Sequence, residues 1–208
     1  MDYFADSCIV INFLEFKNSD EEIKKRCYNY INAHKSDIFI CTYVSEEIKN
    51  YLRKKEIMQN EVIQKKKNHE YIMGTNREAE ILNKKEIFFV EDLYKEMENV
   101  PVLDCEKEFE EEIRILRLNF GIFLKKIKEL ISQQFDTNLA NLLRETIEDY
   151  ADCKVLSIAL QIQQNKEIFT FVTADRHFLP NAFDYLTKEP RLASYKFPKF
   201  KNLLFEKD

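Results

Sequence analysis

Glycine is almost missing from this chain. Only Gly74 and Gly121 occur in 208 residues, so neither a P-loop nor a GxGxxG dinucleotide turn can be built. Any phosphate chemistry here must proceed without a glycine cradle. Tryptophan is absent, which leaves 17 Phe and 10 Tyr to fill the core and to stack on any base. No stretch approaches ~18 consecutive apolar residues, so no membrane span is expected. The acidic start "MDYFADS" lacks the basic and apolar regions of a secretory signal. Cys8, Cys27, Cys41, Cys105 and Cys153 lie far apart with no CxxC pair. Their odd number and apolar neighbours predict reduced thiols in a cytoplasmic protein, not disulfides or a zinc site.

What is present suits a globular enzyme. The chain is 45% hydrophobic and 33% charged, so it can bury a sizeable core as one domain or one domain with a large insertion. A net charge of −5 weighs against a protein that coats nucleic acid. It does not exclude a nuclease, because a carboxylate cluster stays acidic until metal fills it.

Periodicity divides the chain into three stretches. Tyr3 to Ala5 predicts a short strand, and Ile9 to Phe16 a buried helix. Ser19 and Glu22 predict a capping box, followed by Ile23, Cys27, Tyr30, Ile31 and His34 at helical spacing. "DIFICTY" predicts a strand covered on both faces, and "VSEEIKNYLRKK" a helix with Val44, Ile48, Tyr51 and Leu52 inward. This alternation predicts a parallel sheet with right-handed crossovers. Residues 55–145 predict a mostly helical insertion or cap, in which "KEIFFVED" fits either a strand or a helix. Pro101 marks a break. A helix over "ETIEDYADCKVLSIALQIQQ" then leads into the strand "KEIFTFVTAD", and "YKFPKFKNLLF" either adds an edge strand or simply packs.

The acids carry the chemistry. Asp6 and Asp175 each follow a strand, on the edge where parallel sheets bind ligands. Either could instead cap the next helix. Glu47 lies about 85° from the centre of its helix's inward face, whereas Glu46 points to solvent. Asp152 falls within roughly 30° of the stripe formed by Val155, Ile158, Ala159 and Ile162, with Glu148 on the same side and Asp149 further round. A charge aimed at a core needs a metal or an arginine to neutralise it. Oxygen donors suit Mg²⁺ or Mn²⁺, as one ion or as two about 3.5–4 Å apart. Arg176 and His177, beside the last acid, and Arg53, ahead of Lys54 and Lys55, are candidate substrate contacts. The lysine runs, Lys65 to Lys67 among them, read better as solvated helical surface.

The order of these segments resembles the PIN-domain nucleases. "FADSCIVINFL", "CTYVSEEIKNYL", "ADCKVLSIALQ" and "VTADRHF" match that family's four acidic motifs in sequence order, over residues 3–53 and 148–179. The resemblance implies a single PIN-like domain over 1–208, with a three-layer α/β/α fold and about four to five parallel strands. It implies Asp6, Glu47, Asp152 and Asp175 as catalytic metal ligands, with Ser7 and Thr173 as the accompanying hydroxyl residues. Cys8 stands where the family often has Asn or Ser, and Asn12 is the nearest substitute. The implied activity is metal-dependent endonucleolytic cleavage of single-stranded RNA. The implied partners are an antitoxin protein and a second copy of the chain. A structure-specific DNA nuclease and a non-catalytic RNA- or protein-binding module remain open alternatives. An aspartate-nucleophile phosphatase is disfavoured, because Cys8 occupies the place of its second acid.

Overall fold

In the computed structural model, residues 1–16 and 21–205 are described, and they form two compact units. The first comprises residues 1–48 and those from 122 onward; the second comprises residues 49–121.

The first unit is built on five parallel strands: β1 (Tyr3–Ala5), β2 (Ile38–Cys41), β3 (Glu129–Ile131), β4 (Thr170–Thr173) and β5 (Lys199–Asn202). Their order is β3-β2-β1-β4-β5. Every residue of β2 and of β4 is buried. Such strands need cover on both faces, and helices supply it, so the fold is three-layer α/β/α. Four of the five strands carry a phenylalanine: Phe4, Phe39, Phe171 and Phe200. Phe4 stacks on Phe171 at 5.8 Å, and Phe39 meets the edge of Phe169 at 5.1 Å. Each ring buries a large apolar area at little entropic cost, which suits strands only three or four residues long.

The helices of this unit begin where the sequence offers a cap. Helix α1 (Ser7–Glu15) starts on Asp6, whose carboxylate accepts the Ser7 amide at 2.7 Å. Helix α2 (Glu22–His34) starts beyond Glu21, which makes no side-chain cap; Ser19, expected to form a capping box with Glu22, lies outside the described residues. Helix α3 (Thr42–Lys67) follows β2 without a loop. Helix α6 (Thr137–Leu143) is capped by Asp136, and α7 (Tyr150–Asn165) by Asp149. Helix α8 (Pro180–Leu186) has proline in its first turn, where no amide partner is lost.

The helical segment expected over 55–145 is divided in the fold. Residues 122–145 belong to the sheet unit and contribute β3 and α6. Residues 49–121 form the second unit from the later turns of α3, a 3-10 turn (Arg77–Ile81), α4 (Lys84–Glu96) and most of α5 (Val102–Lys126). "KEIFFVED" is helical and opens with a capping box between Asn83 and Glu86. The core of this unit gathers Ile57, Val62, Ile63, Ala79, Leu82, Val90, Cys105 and Phe109. Buried Glu61 accepts the Tyr71 hydroxyl and the Gly74 amide, each at 2.6 Å, and pins the loop after α3. Gly74 there has φ +84°, and an added Cβ would sit 3.0 Å from Ile87. Among the described residues, no helix is long and apolar enough to cross a membrane.

Candidate metal centre

The strand order reverses between β1 and β4, since the chain leaves β1 toward β2 on one side and returns to β4 on the other. Crevices beyond the carboxyl ends of strands at such a point are where open parallel sheets hold ligands. Asp6 and Asp175 flank this crevice. The Asp6 amide bonds to the Val172 carbonyl at 3.0 Å, extending the β1–β4 pairing by one residue before α1 begins.

Asp6 is buried, with only 2% of its surface exposed, and is held by three neighbours. One oxygen accepts the Ser7 amide at 2.7 Å; the other accepts the Thr173 hydroxyl at 2.9 Å and the Cys8 thiol at 3.1 Å. Burial raises its pKa, while the bonds from Cys8, Thr173 and Ser7 oppose the rise. Capping and site-building are therefore not alternatives at Asp6, because separate oxygens do each. Cys8 itself donates a hydrogen bond to Asp6 from the position where the family often has Asn or Ser; Asn12 lies further along α1 and is half-buried. Burial and the charge of Asp6 push the Cys8 thiol up, so it remains a neutral donor.

Asp175 follows β4 after Thr173 and Ala174. Its amide donates to the Thr173 hydroxyl at 3.1 Å, and its Oδ1 accepts the His177 amide at 2.7 Å. That second bond forms an Asx turn, which folds "ADRH" back over the strand end. Asn202, at the end of β5, donates to the carbonyls of Asp175 at 2.7 Å and Phe178 at 2.8 Å. Nothing in the isolated sequence marks Asn202; its role emerges only when β5 pairs beside β4.

Glu47 and Asp152 come from the helices. Burial, with Asp6 second, pushes Glu47 up to about 8, and the Ser7 hydroxyl and Lys154 act against the rise. Burial raises Asp152 to about 9, reinforced by Asp6, Asp175, Asp149 and Glu47. Oε2 of Glu47 and Oδ2 of Asp152 are buried without a hydrogen-bond partner. Nδ1 of His177 stands 3.3 Å from Asp152 and 3.1 Å from Asp175 but hydrogen-bonds to neither. Among the described residues no arginine forms an ion pair with these groups; the cations beside them are His177, if protonated, and Lys154, whose charge acts on Glu47.

Two expectations change at this site. Glu148 does not share a helical face with Asp152, because α7 starts at Tyr150 and Glu148 lies exposed in the bend before its cap. Asp149, which a continuous helix would turn away, joins the cluster instead. Ligand atoms from Asp149, Asp152 and His177 all lie within 4.8 Å of one another. The spacing D-x-x-D was the available signal, since it places an N-cap three residues before another acid. His177, expected at the substrate, is thus a candidate metal ligand, and Arg176 beside it is exposed.

The lysine runs are absorbed by structure within the helical unit. Lys54 pairs with Glu86, Lys55 with Glu112 and Lys67 with Glu106. Lys65 bonds to the carbonyls of His69 and Tyr71, and Lys66 to those of Met97 and Glu98. Arg53 is exposed in that unit and lines a shallow pocket with Glu56, Asn60 and Glu78.

The donor set fits a divalent cation. Asp149, Asp152 and His177 are the described residues whose donor atoms lie within 4.8 Å of one another, while Asp6, Glu47 and Asp175 join them through the effect of their charges on Asp152. No protein-family model matches the chain, and no curated protein or solved structure is significantly similar to it.

Proposed function

We propose that the protein is a metal-dependent endonuclease of PIN-like type that hydrolyses phosphodiester bonds in single-stranded RNA in the cytoplasm. The observation carrying this reading is the crowding of Asp6, Glu47, Asp149, Asp152 and Asp175 at the crevice. Two of these acids are raised to about 8 and 9, and a buried oxygen of each accepts no hydrogen bond among the described residues. Mutual repulsion of this kind is relieved by a cation of high charge density.

Asp6, Glu47, Asp152 and Asp175 would hold Mg²⁺ or Mn²⁺, with Asp149 and His177 as further donors. Bound there, the metal supplies acidity to a water molecule and charge for the leaving oxygen of a phosphodiester. The chain's own residues orient the acids. Thr173 bonds both to Asp6 and to the Asp175 amide, coupling the ends of β1 and β4. The Asx turn at Asp175 brings His177 back toward Asp152. Asn202 holds that turn. RNA as the substrate rests on the family resemblance of the four motifs.

Cleavage of single-stranded RNA and DNA with Mn²⁺ or Mg²⁺ tests the proposal. Asp6→Asn and Asp152→Asn should each lower the rate by more than about a hundredfold, since even indirect supports of a metal site cost 10–100-fold. EDTA should abolish activity. Activity that survives excess EDTA, or that is equal in wild type and both variants, would contradict a metal-dependent hydrolase.

A further inference from the structure

Beside the carboxylates lies a cluster of rings and cations that reaches Glu47 through Tyr43 and Lys154. Lys154 Nζ sits 4.7 Å from the Tyr150 ring, 5.0 Å from Phe135 and 5.7 Å from Tyr43. The Arg144 guanidinium lies 5.4 Å from the same Tyr150 ring. Tyr43 meets Phe135 edge-on at 6.1 Å. Four pieces of chain converge here: the first turn of α3, the first turns of α7, the segment between β3 and α6, and the C-terminal end of α6, which carries Arg144. Tyr43 stands four residues before Glu47 on α3, and Tyr150 and Lys154 are likewise four apart on α7. Residues so spaced share a helix face, so the cluster adjoins Glu47.

The way these cations are held matters. Lys54, Lys67, Lys128, Lys166 and Arg191 are all paired with carboxylates. Lys154 and Arg144 rest on ring faces instead, and among the described residues neither forms a carboxylate ion pair. A ring attracts a cation through its quadrupole and takes up none of its donors as an acceptor oxygen would. Both cations therefore keep N–H groups for a ligand oxygen. The three rings are half-buried, so part of each remains available for contact. Cations alternating with partly exposed rings are the combination that binds unpaired nucleic acid: phosphates take the charge and splayed bases stack.

We propose that Tyr43, Phe135, Tyr150, Lys154 and Arg144 form a strand-binding subsite beside the carboxylates, which takes an unpaired segment of nucleic acid. This assignment rests on the nuclease reading and specifies its substrate. Lys154 and Arg144 contact phosphates flanking the cleaved bond, and the rings stack adjacent bases. A duplex cannot use the rings, because its bases are already stacked on one another.

Fluorescence anisotropy with the full chain in Ca²⁺ tests this, using a labelled oligouridylate, an oligothymidylate and a duplex of equal length. Lys154→Gln and Tyr150→Leu should each weaken single-strand binding about tenfold, within the range for loss of a stacked base or its anchor. Lys154→Arg should retain wild-type affinity, and Arg191→Gln should leave it unchanged. Lys154→Gln should also reduce the salt slope by about 0.7, the loss of one single-strand phosphate contact. Melting curves confirm that each variant is folded. Equal binding of oligomer and duplex, no binding by wild type, or unchanged affinity in folded Lys154→Gln overturns the subsite. Cleavage measured on the same samples separates the two ideas. If wild type fails to cut but shows this binding pattern, the subsite stands without the nuclease. If wild type cuts but the variants bind normally, the nuclease stands without the subsite.

Discussion

Asp152 sits near the middle of an electrostatic conflict. Burial and four neighbouring acids raise its pKa to about 9, and Glu47 follows at about 8. In the metal-free protein both folded values exceed the unfolded ones, near 3.8 and 4.5. The folded state therefore binds protons more tightly. This contribution to stability is complete below the unfolded values and is lost as pH rises toward 8 and 9. Metal-free melting temperature should accordingly fall between pH 5 and pH 9, measured by circular dichroism in EDTA. Asp152→Asn should flatten that slope and melt several degrees above wild type at pH 8 without metal, since it removes the cost of holding a buried carboxyl protonated far above its unfolded pKa. A variant that melts below wild type under those conditions would place the stabilising partner of Asp152 within the protein. Thr173 has the opposite character. It is fully buried and bonds to Asp6 and to the Asp175 amide. Thr173→Val keeps the shape and removes both bonds. Mn²⁺ affinity, read by calorimetry, should fall about 10–100-fold.

The elements explain why the site was partly legible in the sequence. Asp6 and Asp175 could be placed because short apolar strands end on them, and Asp152 because an acid on an apolar helix stripe is costly. Asp149 was misplaced because its helix was drawn too long; as the N-cap it occupies a non-helical position and turns toward Asp152. Strand β3 was hidden for a related reason. Its three residues lie at the sheet edge with Leu130 exposed, and "KIKELI" carries no strand alternation strong enough to oppose its helical composition. Asn202 could not be read at all, since its value depends on the register of β5 against β4. The cap of α7 offers a clean separation of roles. Asp149→Ser preserves a side-chain acceptor for the Ala151 amide and removes the carboxylate. It should change stability by less than about 0.5 kcal/mol in EDTA, yet weaken Mn²⁺ binding about tenfold or more. Asp149→Ala should lose both, with about 1 kcal/mol of stability gone.

At the scale of the whole molecule, the two units divide the work. The sheet unit holds every acid of the cluster, all of them within residues 1–48 or beyond 121. In the helical unit Lys54, Lys55, Lys65 and Lys67, expected on a solvated helical surface, are exposed or half-buried and bond within their own unit. In the sheet unit Lys154 and Arg144 stand over the Tyr150 ring beside the acids. The central claim is that repulsion among the acids is resolved by a divalent cation. Its most direct measurement is the melting temperature of wild type and Asp152→Asn at pH 8, each with EDTA and with saturating Mn²⁺. Ligand at 100 times its Kd stabilises by about 2.7 kcal/mol, or roughly 5–10 °C for a chain of this size. The account predicts that rise in wild type and little or none in Asp152→Asn. No rise in wild type, or the same rise in both proteins, would contradict it.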